Sequence, residues 1–148
     1  MAKRKTKIYP TTLVSVCRVP VRFSEVDSMR VVWHGNYVKY FEDGREAFGN
    51  EFELSYMDYF HNELLTPIVK LDCNYKQSLR YGDIAEITTR YMACDAAKIY
   101  FEYMIKNAET GDVAATGSSC QVFINTDQQL QLTSPPFYEK WKAKWLSK

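Results

Sequence analysis

The segment Glu25-Val26-Asp27-Ser28-Met29-Arg30-Val31-Val32-Trp33-His34-Gly35-Asn36-Tyr37 joins a stretch that alternates like a strand to one spaced like a helix. Asp27 falls in the loop. The backbone N–H groups near His34, Gly35 and Asn36 fall at or just before the helix start. Unpaired donors and the helix dipole at such an end favour negative charge. A substrate carbonyl resting on one of these donors would be polarised toward its oxyanion. A carboxylate on its other side can attack the carbonyl carbon or activate water. A loop carboxylate and a helix-start donor therefore make a minimal hydrolytic site. The same Asp also fits a plainer role, because an aspartate between strand and helix commonly forms a turn or a cap.

Several elements must position these residues. Cys17, Val19, Val21 and Phe23 alternate with Arg18, Pro20 and Arg22, a period of two that predicts a half-buried strand. Pro20 has no N–H for a ladder, so this strand is expected at a sheet edge or with a bulge. From Tyr37 to Phe48, the residues Tyr37, Val38, Tyr40, Phe41, Gly44, Ala47 and Phe48 lie at helical spacing. Asn36 is the candidate N-cap and Gly49-Asn50 the candidate stop. Gly44 within that helix costs about 1 kcal/mol relative to alanine, which a close approach to a sheet would justify. A second helix is expected over Tyr56 to Leu65.

Strands follow. Val69, Leu71, Cys73 and Tyr75 alternate with polar residues, as do Ala85, Ile87, Thr89 and Tyr91, and then Ile99, Phe101, Tyr103 and Ile105. Asn107 to Asp112 reads as a hairpin turn and Val113 to Asn125 as a last long strand. After Pro135-Pro136, the residues Phe137, Trp141 and Trp145 put one aromatic stripe on a C-terminal helix. That stripe can cover the chain's own sheet or a neighbour's. Periodicity thus predicts an α+β chain, an antiparallel sheet wrapped around one long central helix. One domain is expected over residues 1–148, with residues 1–10 a flexible N-terminal end and 135–148 a helical tail.

Composition narrows the function classes. Of 148 residues, 46% are apolar, 25% charged and 15% aromatic. Lys and Arg number 19 against 18 Asp and Glu, so no nucleic-acid partner is expected. The one basic cluster, Ala2 to Lys7, reads as a solvated end. No apolar run is long enough to span a membrane, and none follows the basic start as a signal peptide would. Cys17, Cys73, Cys94 and Cys120 form no CxxC pair or matched framework, so a reducing, cytoplasmic compartment is expected. Only His34 and His61 would be available to join distant cysteines, so neither a zinc site nor another cofactor is expected.

The stretch Phe23 to Phe48 resembles the signature of the 4-hydroxybenzoyl-CoA thioesterase family of hotdog proteins. The resemblance is carried by Asp27, Val31-Val32, Trp33-His34, Asn36-Tyr37, Phe41-Glu42 and Arg45. Tyr75 and Leu79-Arg80-Tyr81-Gly82-Asp83 resemble the family's second conserved stretch, and the likeness extends from about Val16 to Asn125. It implies the hotdog fold, metal-free cleavage of acyl-CoA to free acid and CoA, and a homodimer or homotetramer with its site between subunits. It also implies Asp27 as nucleophile or general base and the His34 backbone amide as oxyanion donor. Trp33, Gly35, Asn36, Tyr37 and Arg30 are the expected substrate contacts. An acyl-carrier protein is a possible source of the thioester. Many members carry Gly where this chain has Arg30, which either points to solvent or meets CoA phosphates or an acidic substrate. The His34 ring could instead serve a hydratase, and a non-catalytic acyl-thioester-binding hotdog protein is the remaining alternative. Glu42 and Arg45 are spaced for a helix-face ion pair. Lys70, Lys76 and Arg80 fit either a solvated face or CoA phosphates, and His61 is expected on the surface.

Overall fold

The computed structural model describes residues 6–146. A five-stranded antiparallel sheet has the order β1-β4-β5-β6-β3, formed by β1 (Ile8–Pro20), β3 (Ile68–Tyr75), β4 (Ile84–Cys94), β5 (Lys98–Asn107) and β6 (Val113–Val122). The short strands β2 (Leu64–Leu65) and β7 (Ile124–Asn125) pair separately. Helix α1 (Tyr37–Phe52) lies against the sheet, α2 (Tyr56–His61) follows it, and α3 (Pro136–Leu146) closes the chain. This is the α+β, hotdog architecture that the periodicities and the resemblance predict.

The first strand is at an edge and carries a register shift between Pro10 and Val14, as a proline-bearing strand should. It begins at Ile8, inside the stretch expected to be a flexible end. Of the basic cluster Ala2 to Lys7, residues 2–5 lie outside the described residues, and Thr6 and Lys7 are exposed. The strand stops at Pro20, because Val21 turns its N–H to Asp83 O at 2.9 Å and Phe23 enters a single helical turn, Phe23–Glu25. Phe23 is therefore exposed, contrary to its place in the alternation.

The central helix outruns its expected stop. Gly49 lies inside it, and the chain leaves only at Glu53, held in the left-handed region at φ 58°. Gly49 serves packing instead, since a Cβ there would meet Leu54 O at 2.6 Å. Gly44 has the expected close approach, because a Cβ would overlap Thr89 Oγ1 and stand 2.7 Å from Ile87 Cγ2. Tyr37, Tyr40, Phe41, Gly44 and Phe48 are buried on one face, while Lys39, Glu42, Glu46 and Asn50 are exposed. The sheet thus packs on the apolar face of α1, and the polar face meets solvent.

Buried Ala85, Ile87, Thr89 and Tyr91 on β4, with Ile99, Phe101, Tyr103 and Ile105 on β5, supply the floor of the core. The second helix ends at His61, because Leu64 and Leu65 leave it to pair with β7. The last strand breaks at Phe123, which is fully buried between β6 and β7. On α3, Trp141 is buried against Tyr91, with centroids 4.8 Å apart, and donates its indole N–H to Phe52 O at 2.6 Å. That bond satisfies a carbonyl at the end of α1 that lacks a helical partner. Trp145 stands edge-on to Phe52 at 5.2 Å. The aromatic stripe therefore covers the chain's own helix end.

On β3 the predicted alternation does not produce a buried face. Val69, Leu71 and Tyr75 are exposed because α1 packs chiefly on β1 and β4 and does not extend over β3, which ends the sheet.

Candidate active site

The loop after β1 is held by one buried residue. Glu25 is only 5% exposed. Its Oε1 accepts the Arg22 N–H at 2.8 Å and the Tyr40 hydroxyl at 3.0 Å, which ties the loop to α1. Its main-chain carbonyl accepts the Trp33 N–H at 2.8 Å and Asn36 Nδ2 at 2.9 Å. Both ends of the segment 26–32 are thereby fastened to the same residue. Burial, aided by the hydrogen bond to Glu25, pushes the Tyr40 hydroxyl far above its ordinary range, so it remains a neutral donor.

Between those ends the loop folds back on itself. Asp27 N donates to Val31 O, and Arg30 N donates to Asp27 O, both at 2.9 Å. Asp27 Oδ1 accepts the Met29 N–H at 2.8 Å. Asp27 is thus the turn former of the plain reading. That role uses one carboxylate oxygen; Oδ2 of this half-buried side chain has no hydrogen-bond partner among the described residues. Arg30 lies in the left-handed region at φ 66° and is exposed. Glycine takes that conformation without the Cβ penalty that Arg30 bears. The Arg30 side chain forms no ion pair among the described residues.

Val32 N donates to Leu79 O at 2.8 Å, and Val31 bridges Arg80, so the segment 79–83 lies beside the loop. Tyr37 is buried and accepts the Leu79 N–H at 3.2 Å, so it is a core strut rather than an open pocket wall.

The helix start carries the complementary groups. His34–Asn36 form a single helical turn that runs into α1. Asn36 does not cap the helix with its side chain, as the sequence suggests; that side chain is buried on the Glu25 carbonyl. The Asn36 N–H is also committed, to Trp33 O at 2.9 Å. The N–H groups of His34 and Gly35 have no partner among the described residues. The Trp33 ring lies over Gly35, so a Cβ at that position would displace this half-exposed ring. The exposed His34 ring packs on Trp33 at 4.9 Å, and its carbonyl accepts the Tyr75 hydroxyl at 2.8 Å.

The other candidates are dispersed. Glu42 and Arg45 form no ion pair among the described residues; Arg45 donates to the Tyr103 hydroxyl at 3.1 Å instead. Arg45 and Glu42 line a cleft of about 480 Å³ with Glu46, Tyr56, Thr66 and Gln121, which neither Asp27 nor His34 borders. Lys70, Lys76, Arg80 and His61 are exposed. Among the described residues no group of three His, Cys, Asp or Glu side chains is arranged to hold a metal ion. The residue that sequence reasoning missed is Glu25. Its partner Tyr40 lies 15 positions away, on a different element, so no local spacing marks the pair.

Residues 21–146 match the model of the thioesterase-like superfamily, and the chain belongs to that family. It is 29% identical over 114 residues to a provisionally named acyl-CoA thioesterase of Bacillus subtilis, covering 77% of this chain and 82% of that protein. Among solved structures, a DHNA-CoA thioesterase from Staphylococcus aureus superposes with a TM-score of 0.80 at 28% identity, covering 88% of this chain and 89% of that one. A 1,4-dihydroxy-2-naphthoyl-CoA thioesterase from Synechocystis shares the fold, with a TM-score of 0.78 at 14% identity over 91% of this chain and 99% of that one.

Replacing Glu25 with alanine strands the Arg22 N–H and the buried Tyr40 hydroxyl. The exposed Arg22 guanidinium adds little to the pair. The loss of stability is expected at roughly 2–3 kcal/mol, read by denaturant unfolding. Loss below about 0.5 kcal/mol would show that the loop is held otherwise.

Proposed function

We propose that this chain hydrolyses acyl-CoA thioesters, with Asp27 as the carboxylate that drives the reaction and the His34 backbone amide as the oxyanion donor. The observation that carries the reading is a carboxylate with one oxygen spent on its own turn and the other free, on a loop fastened to a helix start with two uncommitted N–H groups. Membership in the thioesterase-like superfamily supports the hydrolytic class. The relatives named above as CoA thioesterases support CoA as the carrier.

In the general-base route, Asp27 Oδ2 takes a proton from water as the water oxygen attacks the thioester carbon. The carbonyl oxygen becomes an oxyanion on the His34 N–H, with the Gly35 N–H beside it. Collapse of the tetrahedral intermediate breaks the C–S bond, releases the acid, and gives the proton to the departing thiolate. In the nucleophilic route Asp27 attacks the carbonyl carbon and the C–S bond breaks to release the CoA thiolate. Water then cleaves the mixed anhydride to free acid and the regenerated Asp27 carboxylate, and the proton released goes to the thiolate. The His34 ring is not needed in either route. Trp33 and Gly35 border the carbonyl seat and Arg30 the outer side of the loop, whereas Asn36 and Tyr37 support it from beneath.

The site is proposed to lie in a homodimer. Val69, Leu71 and Tyr75 stand exposed on β3, whose outer edge has no strand beside it among the described residues, and a long apolar edge invites pairing with a second copy. Tyr75 reaches His34 O from this strand, so pairing at β3 would bring the partner alongside the helix start. No helix among the described residues is long and apolar enough to cross a membrane. The four free thiols support a cytoplasmic location.

Thiol release from a panel of aromatic and aliphatic acyl-CoAs tests the chemistry. Asp27→Asn keeps the oxygen that accepts the Met29 N–H, so its unfolding midpoint should match wild type while turnover falls about a hundredfold or more. Undiminished turnover in a folded Asp27→Asn protein would refute the assignment. For the assembly, equilibrium sedimentation should give an even multiple of the chain mass; a monomer at working concentrations would contradict it.

A further inference from the structure

Two aromatic rings stand in water beside the loop without any role in the core. Phe23 is 77% exposed and Tyr81 64% exposed, yet they meet edge to face with centroids 5.9 Å apart and planes at 89°. Neither ring sits on a loose segment. Phe23 belongs to the turn that Glu25 closes. Tyr81 belongs to a tight turn in which Asp83 N donates to Arg80 O at 3.0 Å and Arg80 N donates to Asp83 Oδ2 at 2.9 Å. Gly82 takes φ 97° in that turn, with open space where a Cβ would be, so the backbone conformation itself calls for glycine. The two turns are tied together by Val21 N donating to Asp83 O.

Cationic groups lie along the same side. Val31 bridges Arg80, which places Arg80 next to the strand segment that follows Arg30. Both arginines are exposed and form no ion pair among the described residues, whereas nearby Arg22 is engaged with Glu25. One oxygen of the Asp83 carboxylate, Oδ2, accepts the Arg80 N–H within the turn, and neither arginine side chain pairs with it. The strand order sets the direction, because Phe23 and Tyr81 adjoin the β1–β4 end of the sheet while the exposed β3 edge lies at the other side. An acyl group needs an enclosed apolar seat, which an open pair of rings cannot provide. A planar base can stack on exposed rings, and its phosphates can be held by unpaired guanidinium groups.

We propose that Phe23 and Tyr81 seat the adenine ring of acyl-CoA, and that Arg30 and Arg80 take its phosphates. This rests on the thioesterase reading above and adds the part of the substrate that selects CoA. An acidic carrier-protein surface would use the arginines but has no need of two rings.

The test compares kcat/KM for an acyl-CoA with that for the same acyl group on N-acetylcysteamine, which lacks the nucleotide. In Phe23→Ala/Tyr81→Ala the ratio of the two should fall about tenfold, the scale of one lost base–aromatic stack. Tyr81→Phe should preserve it. An unchanged ratio in the double variant, or equal loss with both substrates, would overturn the proposal. Cleavage of the truncated thioester by wild type and its loss in Asp27→Asn report separately on the hydrolytic reading. If wild type cleaves neither substrate, titration with adenosine 3′,5′-bisphosphate still decides: weaker binding by the double variant supports the seat, and equal or absent binding overturns it.

Discussion

Removing a carboxylate from water is costly unless its lone pairs find donors, and the Glu25 side chain meets that requirement with the Arg22 N–H, the Tyr40 hydroxyl and the edge of the Arg22 guanidinium. The geometry of the site depends on this arrangement. Tyr40 is on the buried face of α1, so the loop after β1 has one place to rest along the helix. The Glu25 carbonyl then collects Trp33 and Asn36, which fixes where the helix begins relative to the loop. The loop that carries Asp27 and the turn that carries the His34 amide are thus fastened through one residue, Glu25.

The sheet sets the other boundary. Gly44 lets α1 settle onto Ile87 and Thr89, while Trp141 ties off the far end of the helix at Phe52. The near end can then be stiff without side-chain capping. Its first N–H groups are left uncommitted, a local cost that is tolerable where a ligand is to be bound. Arg30 in the left-handed region is a second such cost in the same loop.

Much of this architecture is legible in the residue order. The alternations on β4 and β5, the apolar face of α1 and the aromatic spacing of α3 give the correct elements because each pattern reports a face buried within the chain. The pattern on β3 misleads, since α1 does not reach across to cover its apolar face and periodicity cannot say what covers a face. Gly49 misleads as a helix stop because its role is contact with the backbone at Leu54 and Ser55. In the site, Asp27 and the helix start are legible from the strand-to-helix order and from the family resemblance. The committed state of the Asn36 amide, the reversal of the Asn36 side chain and the Glu25 hub are not, because each depends on which distant group the chain brings alongside.

The central claim is that the amides at the helix start receive the thioester oxygen opposite Asp27. Amide ¹H–¹⁵N spectra of the Asp27→Asn protein, taken with and without an uncleaved acyl-CoA, test it most directly. The account predicts downfield proton shifts at His34 and Gly35 with little change at Asn36, whose N–H already serves Trp33. Shifts confined to the cleft around Arg45, with His34 and Gly35 unmoved, would contradict it.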